Sequence, residues 1–293
     1  MPPGAKRLLR SVAAVLAAAT WVVDARAVDG AAVSPVRVVS QTVGTDEMLI
    51  ALADPGQIAA LSKLAADPEF SAVAAQAAGY PRLEPNGDAE SVLRYRPTLV
   101  LCANYSRAEL VAQLRRAGVR VLVFADYTTM DDAYANLRRL ARELGAEARA
   151  ERLIAGCRLR MDRLSRTLRG VTPARVIAPS VYGAIPGADT TFQDLCDHAG
   201  AINLAATLGH LRGHAPPPVE QMLTWPVDEV VLGGWNAGEA LAPFRQLSPY
   251  EYMDAVKSGR VALVKPYQLS CVSFHRVDGY EALARALHPG AFP

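Results

Sequence analysis

Four cysteines in 293 residues cannot staple a chain of this length, and aromatics make up only 6% of it. A disulfide-built miniprotein is therefore excluded. Neither sign of charge dominates, since 31 Lys and Arg stand against 29 Asp and Glu. Without a basic tract the chain lacks the electrostatic footprint of a nucleic-acid binder. The sequence contains no GxSxG elbow, Walker loop, HExxH or paired CxxC, and no GxGxxG behind a strand. The usual signatures of hydrolases, nucleotide binders and zinc sites are thus missing. What it has in quantity is core material, 51% hydrophobic against 20% charged. That composition excludes a disordered chain. The length suits two lobes of ordinary size or one large domain.

The first residues form a separate object. Lys6, Arg7 and Arg10 make a basic head, Val12 to Val23 is apolar apart from Thr20, and Ala25-Arg26-Ala27 closes the segment with small residues. This is the layout of a secretory signal peptide, too short in its apolar part to span a bilayer comfortably. Residues 1–27 are expected to be removed, leaving a soluble chain from Val28 outside the cytoplasm. No cysteine follows at the expected cut, so no lipid attachment is expected. Losing Lys6, Arg7, Arg10, Arg26 and Asp24 turns the formal charge of +2 into −1. No later segment approaches transmembrane length.

Beyond the leader, short β-rich runs alternate with helical stretches, which indicates an α/β fold with mostly parallel sheets covered on both faces. Val36–Ser40, Leu99–Ala103 and Arg120–Ala125 are the strand candidates of the first half. Arg175–Ala178, Glu229–Gly233 and Arg260–Val264 are those of the second. Between the halves, Ala146–Arg169 is rich in Ala, Leu, Glu and Arg, has no proline and carries one glycine. Its apolar positions Ala150, Leu153, Ile154, Cys157, Met161, Leu164 and Leu168 fall on one helical stripe. A rod of roughly 36 Å is expected there, ended by Gly170 and Pro173. The expected organisation is an N-terminal lobe over 28–145, a bridging helix over 146–170 and a C-terminal lobe over 171–293. The lobes echo each other. Glu90 and Glu220 each open a short helix, followed by Leu93 and Leu223, then by Pro97 and Pro226 ahead of a buried strand.

In open parallel sheets, ligands meet the loops beyond the carboxyl ends of the strands. That rule selects Thr42, Asn104, Tyr105, Asp126 and Tyr127 in the first half. In the second it selects Tyr182, Trp235, Asn236 and the loop from Tyr267 to His275 and Arg276. Tyrosine and tryptophan rings at so many strand ends suit a flat ligand with polar edges. His275 and Arg276 are expected on the cleft rim, with two alternatives: His275 as an iron or heme ligand opposite a tyrosine, or Arg276 as a clamp on carboxylate or catecholate oxygens. His210 and His214 sit among Gly209, Gly213 and Pro216-Pro217-Pro218, so they read as loop histidines with no ligand role. No metal-ligand set is expected. Cys102 and Cys157 fall on a strand and on the helix stripe and read as buried thiols. Cys196 with Cys271 is the one disulfide considered, since both lie in the second half.

Taken in order, these pieces resemble the iron-chelate and cobalamin periplasmic-binding proteins of ABC importers. Val36-Arg37-Val38-Val39-Ser40 with Thr45-Asp46-Glu47-Met48-Leu49 resembles the family's first strand and helix. Glu90 through Pro97 to Leu101 resembles its "LExIxxLxPDLVL" segment, with Thr98 in place of the usual Asp. Ala117-Gly118-Val119-Arg120-Val121 resembles the following "lexxlGIpVxxxd" stretch. Thr191-Phe192-Gln193-Asp194-Leu195-Cys196 and Gly200-Ala201-Ile202-Asn203 resemble "sfxxelLxxaGgxNv". Gln41-Thr42-Val43-Gly44 lacks the family's frequent proline, and Ile58 to Tyr80 matches poorly. The resemblance implies two α/β lobes bridged by one rigid helix, ligand in the cleft between them, and no catalysis or cofactor. It implies that Glu90 and Glu220 dock on arginines of a permease, itself coupled to an ATPase. A ferric chelate of siderophore type is the first expected ligand, a corrinoid such as cobalamin the second and heme the third. A monomer without nucleic-acid partners is expected. A secreted α/β enzyme or an extracytoplasmic sensor is the rival class.

Overall fold

Val38, Val39, Leu99, Val100 and Leu101 are almost wholly buried, as a strand covered on both faces requires. The computed structural model describes residues 36–84 and 88–292, so the expected leader lies outside the described residues. The first half runs β1 (Val38–Ser40), α1 (Val43–Leu52), β2 (Ile58–Ala60), α2 (Ala74–Ala77), α3 (Ala89–Leu93), β3 (Leu99–Ala103), α4 (Ala108–Arg116), β4 (Arg120–Phe124) and α5 (Met130–Leu144). After α6 (Glu147–Thr167) come β5 (Ala174–Ile177), β6 (Ile185–Pro186), α7 (Thr191–Ala199), β7 (Ala201–Asn203), α8 (Leu204–Thr207) and β8 (His214–Ala215). The chain continues with α9 (Val219–Met222), β9 (Glu229–Gly233), α10 (Ala237–Leu241), α11 (Asp254–Lys257), β10 (Val261–Val264), α12 (Pro266–Ser270) and α13 (Arg276–Leu287).

The strands form two four-stranded sheets, ordered β2-β1-β3-β4 and β7-β5-β9-β10, with every pairing inside them parallel. One path is traced twice. The first strand lies centrally, the second on one edge, the third on the first strand's other side, and the fourth on the far edge. The echo extends to single bonds. Arg37 N–H donates to Thr98 Oγ1 at 2.8 Å, and Arg175 N–H donates to Asp228 Oδ2 at 2.8 Å. Thr98 therefore supplies with a hydroxyl the acceptor that a carboxylate supplies in the second half.

The expected strands are present, with ends shifted by one or two residues: Val38 rather than Val36 opens β1, and β5 ends at Ile177 rather than Ala178. Two edge strands, β2 and β7, were not expected; each has only three residues and carries an alanine. Gly145, at φ 66, ends α5 with its N–H on Ala141 O, so the long helix begins at Glu147. Ala150, Ile154, Cys157 and Leu164 form its buried stripe. This helix touches both halves. Tyr134 of α5 donates its hydroxyl to Met161 Sδ at 3.4 Å, and Arg160 pairs with Asp278 and Glu281 of α13 at 2.7 and 2.6 Å. A single hydrophobic core runs through it, holding Leu49, Leu101 and Leu137 together with Val231, Val277 and Tyr280. The outer face of each sheet has its own smaller core.

Candidate ligand-binding site

Both sheets carry a cavity at the carboxyl ends of their strands. In the first half the segments leaving β1, β2 and β3 enclose about 420 Å³, lined by Gln41, Thr42, Ser62, Lys63, Leu83, Glu84, Tyr105, Ser106, Arg107 and Leu110. Thr42 caps α1, taking the Thr45 N–H at 3.4 Å, while Thr45 Oγ1 donates to Thr42 O at 2.8 Å. Its hydroxyl thus serves the helix as well as the cavity wall. Tyr105 is 60% exposed and meets Tyr127 edge to face, ring centres 5.9 Å apart. Tyr127 in turn donates its hydroxyl to Asn104 Oδ1 at 3.1 Å. Thr42, Asn104, Tyr105 and Tyr127, selected separately from sequence, form one neighbourhood.

The second cavity, about 450 Å³, is more apolar. Pro179, Val181, Tyr182, Phe192, Leu232, Phe244 and Leu269 line it, with His214, Thr191 and Ser270 as polar members. Tyr182, 94% exposed, lines it as the strand-end rule expects. Trp235 is 57% exposed just past β9 but lies outside this lining. Its neighbour Asn236 caps α10, accepting the Glu239 N–H at 3.1 Å. Tyr267 is half-buried on α12 and lines neither cavity. His214, read from sequence as an idle loop histidine, lines this one.

Two expected rim residues lie elsewhere. Arg276 is 1% exposed. Its guanidinium pairs with Asp194 at 2.8 Å and donates to the backbone oxygens of Cys271, Tyr127 and Thr128 at 3.1, 2.5 and 2.6 Å. It is a buried strut between the halves rather than an anion clamp, because four acceptors already take its donors. His275 lies against Phe274 at 4.3 Å with Nδ1 3.4 Å from Asp278 Oδ2, outside both linings.

A second buried strut stands beside the first. Glu47, 2% exposed on α1, accepts from Ala72 N–H at 2.9 Å and from Ser273 Oγ–H at 2.5 Å. Cys271 Sγ lies 3.6 Å from the same carboxylate. The adjacent Asp46 is fully buried and accepts both the backbone N–H and the hydroxyl of Ser62. Burial lifts its carboxyl to about 7. The disulfide considered between Cys196 and Cys271 is absent: all four cysteines are free and buried, and Cys271 points to Glu47 and Ser273 instead.

Lys63, Gln41 and Arg107 also line the first cavity without being expected to: Lys63 follows β2, a strand the sequence does not mark, and Gln41 and Arg107 lie one and two residues from the selected Thr42 and Tyr105. Glu90 and Glu220 lie exposed at the second position of α3 and α9, the helices leading into the equivalent strands β3 and β9. Neither carboxylate has an ion-pair partner among the described residues.

The architecture has counterparts among solved structures. The chain is similar to the periplasmic heme-binding protein RhuT of Roseiflexus sp. RS-1, at TM-score 0.76 and 22% identity over 88% of this chain and 100% of that one. It is similar to a periplasmic heme-binding protein of Pseudomonas aeruginosa, at TM-score 0.74 and 24% identity over 88% and 95%. Among curated proteins it is similar to the uncharacterized ABC transporter substrate-binding lipoprotein YvrC of Bacillus subtilis (strain 168). There it is 22% identical over 71% of this chain and 67% of the relative. The profile of the family described as "Periplasmic binding protein" matches residues 38–268, from β1 into α12. With twin parallel sheets, a shared helix and cavities at the strand ends, this chain belongs to the periplasmic binding protein family.

Proposed function

We propose that the chain captures a ferric chelate in the periplasm, after removal of its leader, and hands it to an ABC permease and its ATPase. One observation carries this reading: each of two like-ordered sheets ends in its own cavity, polar in the first half and apolar in the second. At about 420 and 450 Å³ each, the pair suits a ligand with one polar and one apolar side, in the size range of ordinary small-molecule sites. In this reading Thr42, Asn104, Tyr105 and Tyr127 meet the ligand from one lobe and Tyr182 and Trp235 from the other. Affinity comes from ring stacking and a few charged contacts on a preorganised frame. Lobes over 28–145 and 171–293, joined by the helix at 146–170, form that frame.

A planar tetrapyrrole, heme or a corrinoid, is the second reading. It is favoured by the apolar second cavity, where Tyr182 and Phe192 offer rings and His214 a metal-seeking nitrogen. The heme-binding proteins of Roseiflexus and Pseudomonas point the same way.

Thermal unfolding against ferric siderophores, heme, cobalamin and free metal ions tests both readings. A ligand at 100 times its dissociation constant adds about 2.7 kcal/mol of stability. A ferric siderophore that raises the midpoint most supports the first reading, and heme or cobalamin doing so supports the second. A flat response across the panel overturns both.

A further inference from the structure

The cavity of the first half is built to receive negative charge. Gln41 Nε2 is wholly enclosed and has no hydrogen-bond partner among the described residues. A buried amide donor left unmade is costly, and native structures rarely keep one without a use for it. Lys63 lines the same cavity and is exposed, with no hydrogen bond or ion pair among the described residues. Its backbone is not free to wander, because Ser62 beside it is tied to Asp46 through both its N–H and its hydroxyl. Arg107 adds a second cation, whose field also reaches Asp88, against the single exposed carboxylate of Glu84. Thr42 brings the positive end of the ten-residue helix α1 to the wall. Asp46 below does not cancel this field in full, since burial favours its neutral form.

We propose that this cavity is a carboxylate subsite, in which Lys63 holds an ionised acid group of the ligand and the enclosed Gln41 amide turns out of the wall to add a second donor. Chelates with free carboxylates are thereby selected over acid-free ones. The proposal rests on the capture function above and adds the class of ligand. Lys63 supplies a charge-assisted bond and Gln41 a neutral one, with the Tyr105 ring flanking the group.

The test separates the subsite from the chelate. Thermal unfolding is followed with metal-free citrate, at ionic strength matched with sodium chloride, for the unmodified protein, Lys63→Met, Lys63→Arg and Gln41→Leu. Citrate is expected to raise the midpoint of the unmodified protein. Lys63→Met removes the rise, Lys63→Arg restores most of it, and Gln41→Leu weakens binding by up to about tenfold. No rise with citrate, an equal rise in Lys63→Met, or an equal rise with inorganic phosphate overturns the assignment. A second arm compares heme with heme dimethyl ester, and ferric citrate with the acid-free ferrioxamine B. Lys63→Met is expected to cut the preference for the acid-bearing member about tenfold. Chelates that bind without such a preference sink the subsite and leave the capture function standing. Citrate that binds when every chelate fails does the reverse.

Discussion

Ser273 donates its hydroxyl proton to Glu47, 226 positions away, and both side chains are almost wholly buried. Together with Arg276, which reaches the backbone oxygens of Tyr127 and Thr128, this bond ties the two halves beneath the cavities. The halves are therefore joined by polar struts and a common core as well as by α6. Ser273→Ala removes one donor from a buried carboxylate, at a cost of about 1–3 kcal/mol. Urea unfolding reads that loss as a lower midpoint with an unchanged slope. In Glu47→Gln the same Ser273→Ala change is expected to cost less, because a neutral amide needs the hydroxyl less. Equal losses in both backgrounds would show that the carboxylate charge plays no part.

Asp46 sets a pH dependence of unusual sign. Its carboxyl is raised from 3.8 to about 7 by burial, with the Glu47 charge adding to the shift against hydrogen bonds from Ser40 and Ser62. Between those values the folded chain holds a proton that the unfolded chain has released. On this group's account, stability is greatest below about pH 4, falls as pH rises toward 7 and is flat above. The slope is at most about 1.4 kcal/mol per pH unit. Asp46→Asn keeps an acceptor for Ser62 and cannot ionise. It is expected to flatten that slope and to be more stable than the unmodified protein at pH 8. Denaturant titrations from pH 4 to 8 check this, and an unchanged slope in Asp46→Asn refutes it.

The four thiols give a direct test for a bridge between Cys196 and Cys271. Cys102 and Cys157 are pushed up to about 11 by burial, and Cys271 is raised further by burial and by Glu47. Thiolate attack on a disulfide reagent is accordingly slow in the native protein. In guanidinium without reductant, all four cysteines are expected to react at once. A count of two would mean that a bridge forms after all.

The parts of this fold legible in sequence were those with period and length. Leu99–Ala103 is an unbroken apolar run, and the stripe from Ala150 to Leu168 repeats over five turns, so β3 and α6 could be placed within two residues. Ile58–Ala60 is three residues with two alanines, without the branched side chains that mark a strand, and Lys63 was lost with it. Arg276 was misplaced for another reason. It opens α13 rather than lying in the loop, and three of its four acceptors, on Asp194 and in the loop after β4, are 82 to 149 positions away. Contacts of that range leave no trace in the local pattern. Thr42, Asn104 and Tyr127 gather around Tyr105 because the strand-end rule needs only the parallel strands β1, β3 and β4, all three marked in the sequence.

Glu90 and Glu220 offer the sharpest test of the transport reading. They stand at equivalent places in the repeat, on short helices leading into β3 and β9, and belong to neither cavity lining. Exposed ion pairs contribute about 0–1 kcal/mol each, so two such contacts orient a docked partner more than they hold it. Reversing one charge is expected to slow uptake in a reconstituted importer, and reversing both, Glu90→Arg with Glu220→Arg, to abolish it. Ligand affinity and unfolding midpoint should stay as they were, since neither side chain is buried or bonded to a cavity wall. Added salt is expected to weaken docking of the unmodified protein, because both contacts are solvent-exposed. Partner arginines exchanged for glutamates in the permease should then recover uptake with the doubly reversed protein. Transport at the full rate by that variant, with its ligand bound normally, would remove the two carboxylates from the docking face.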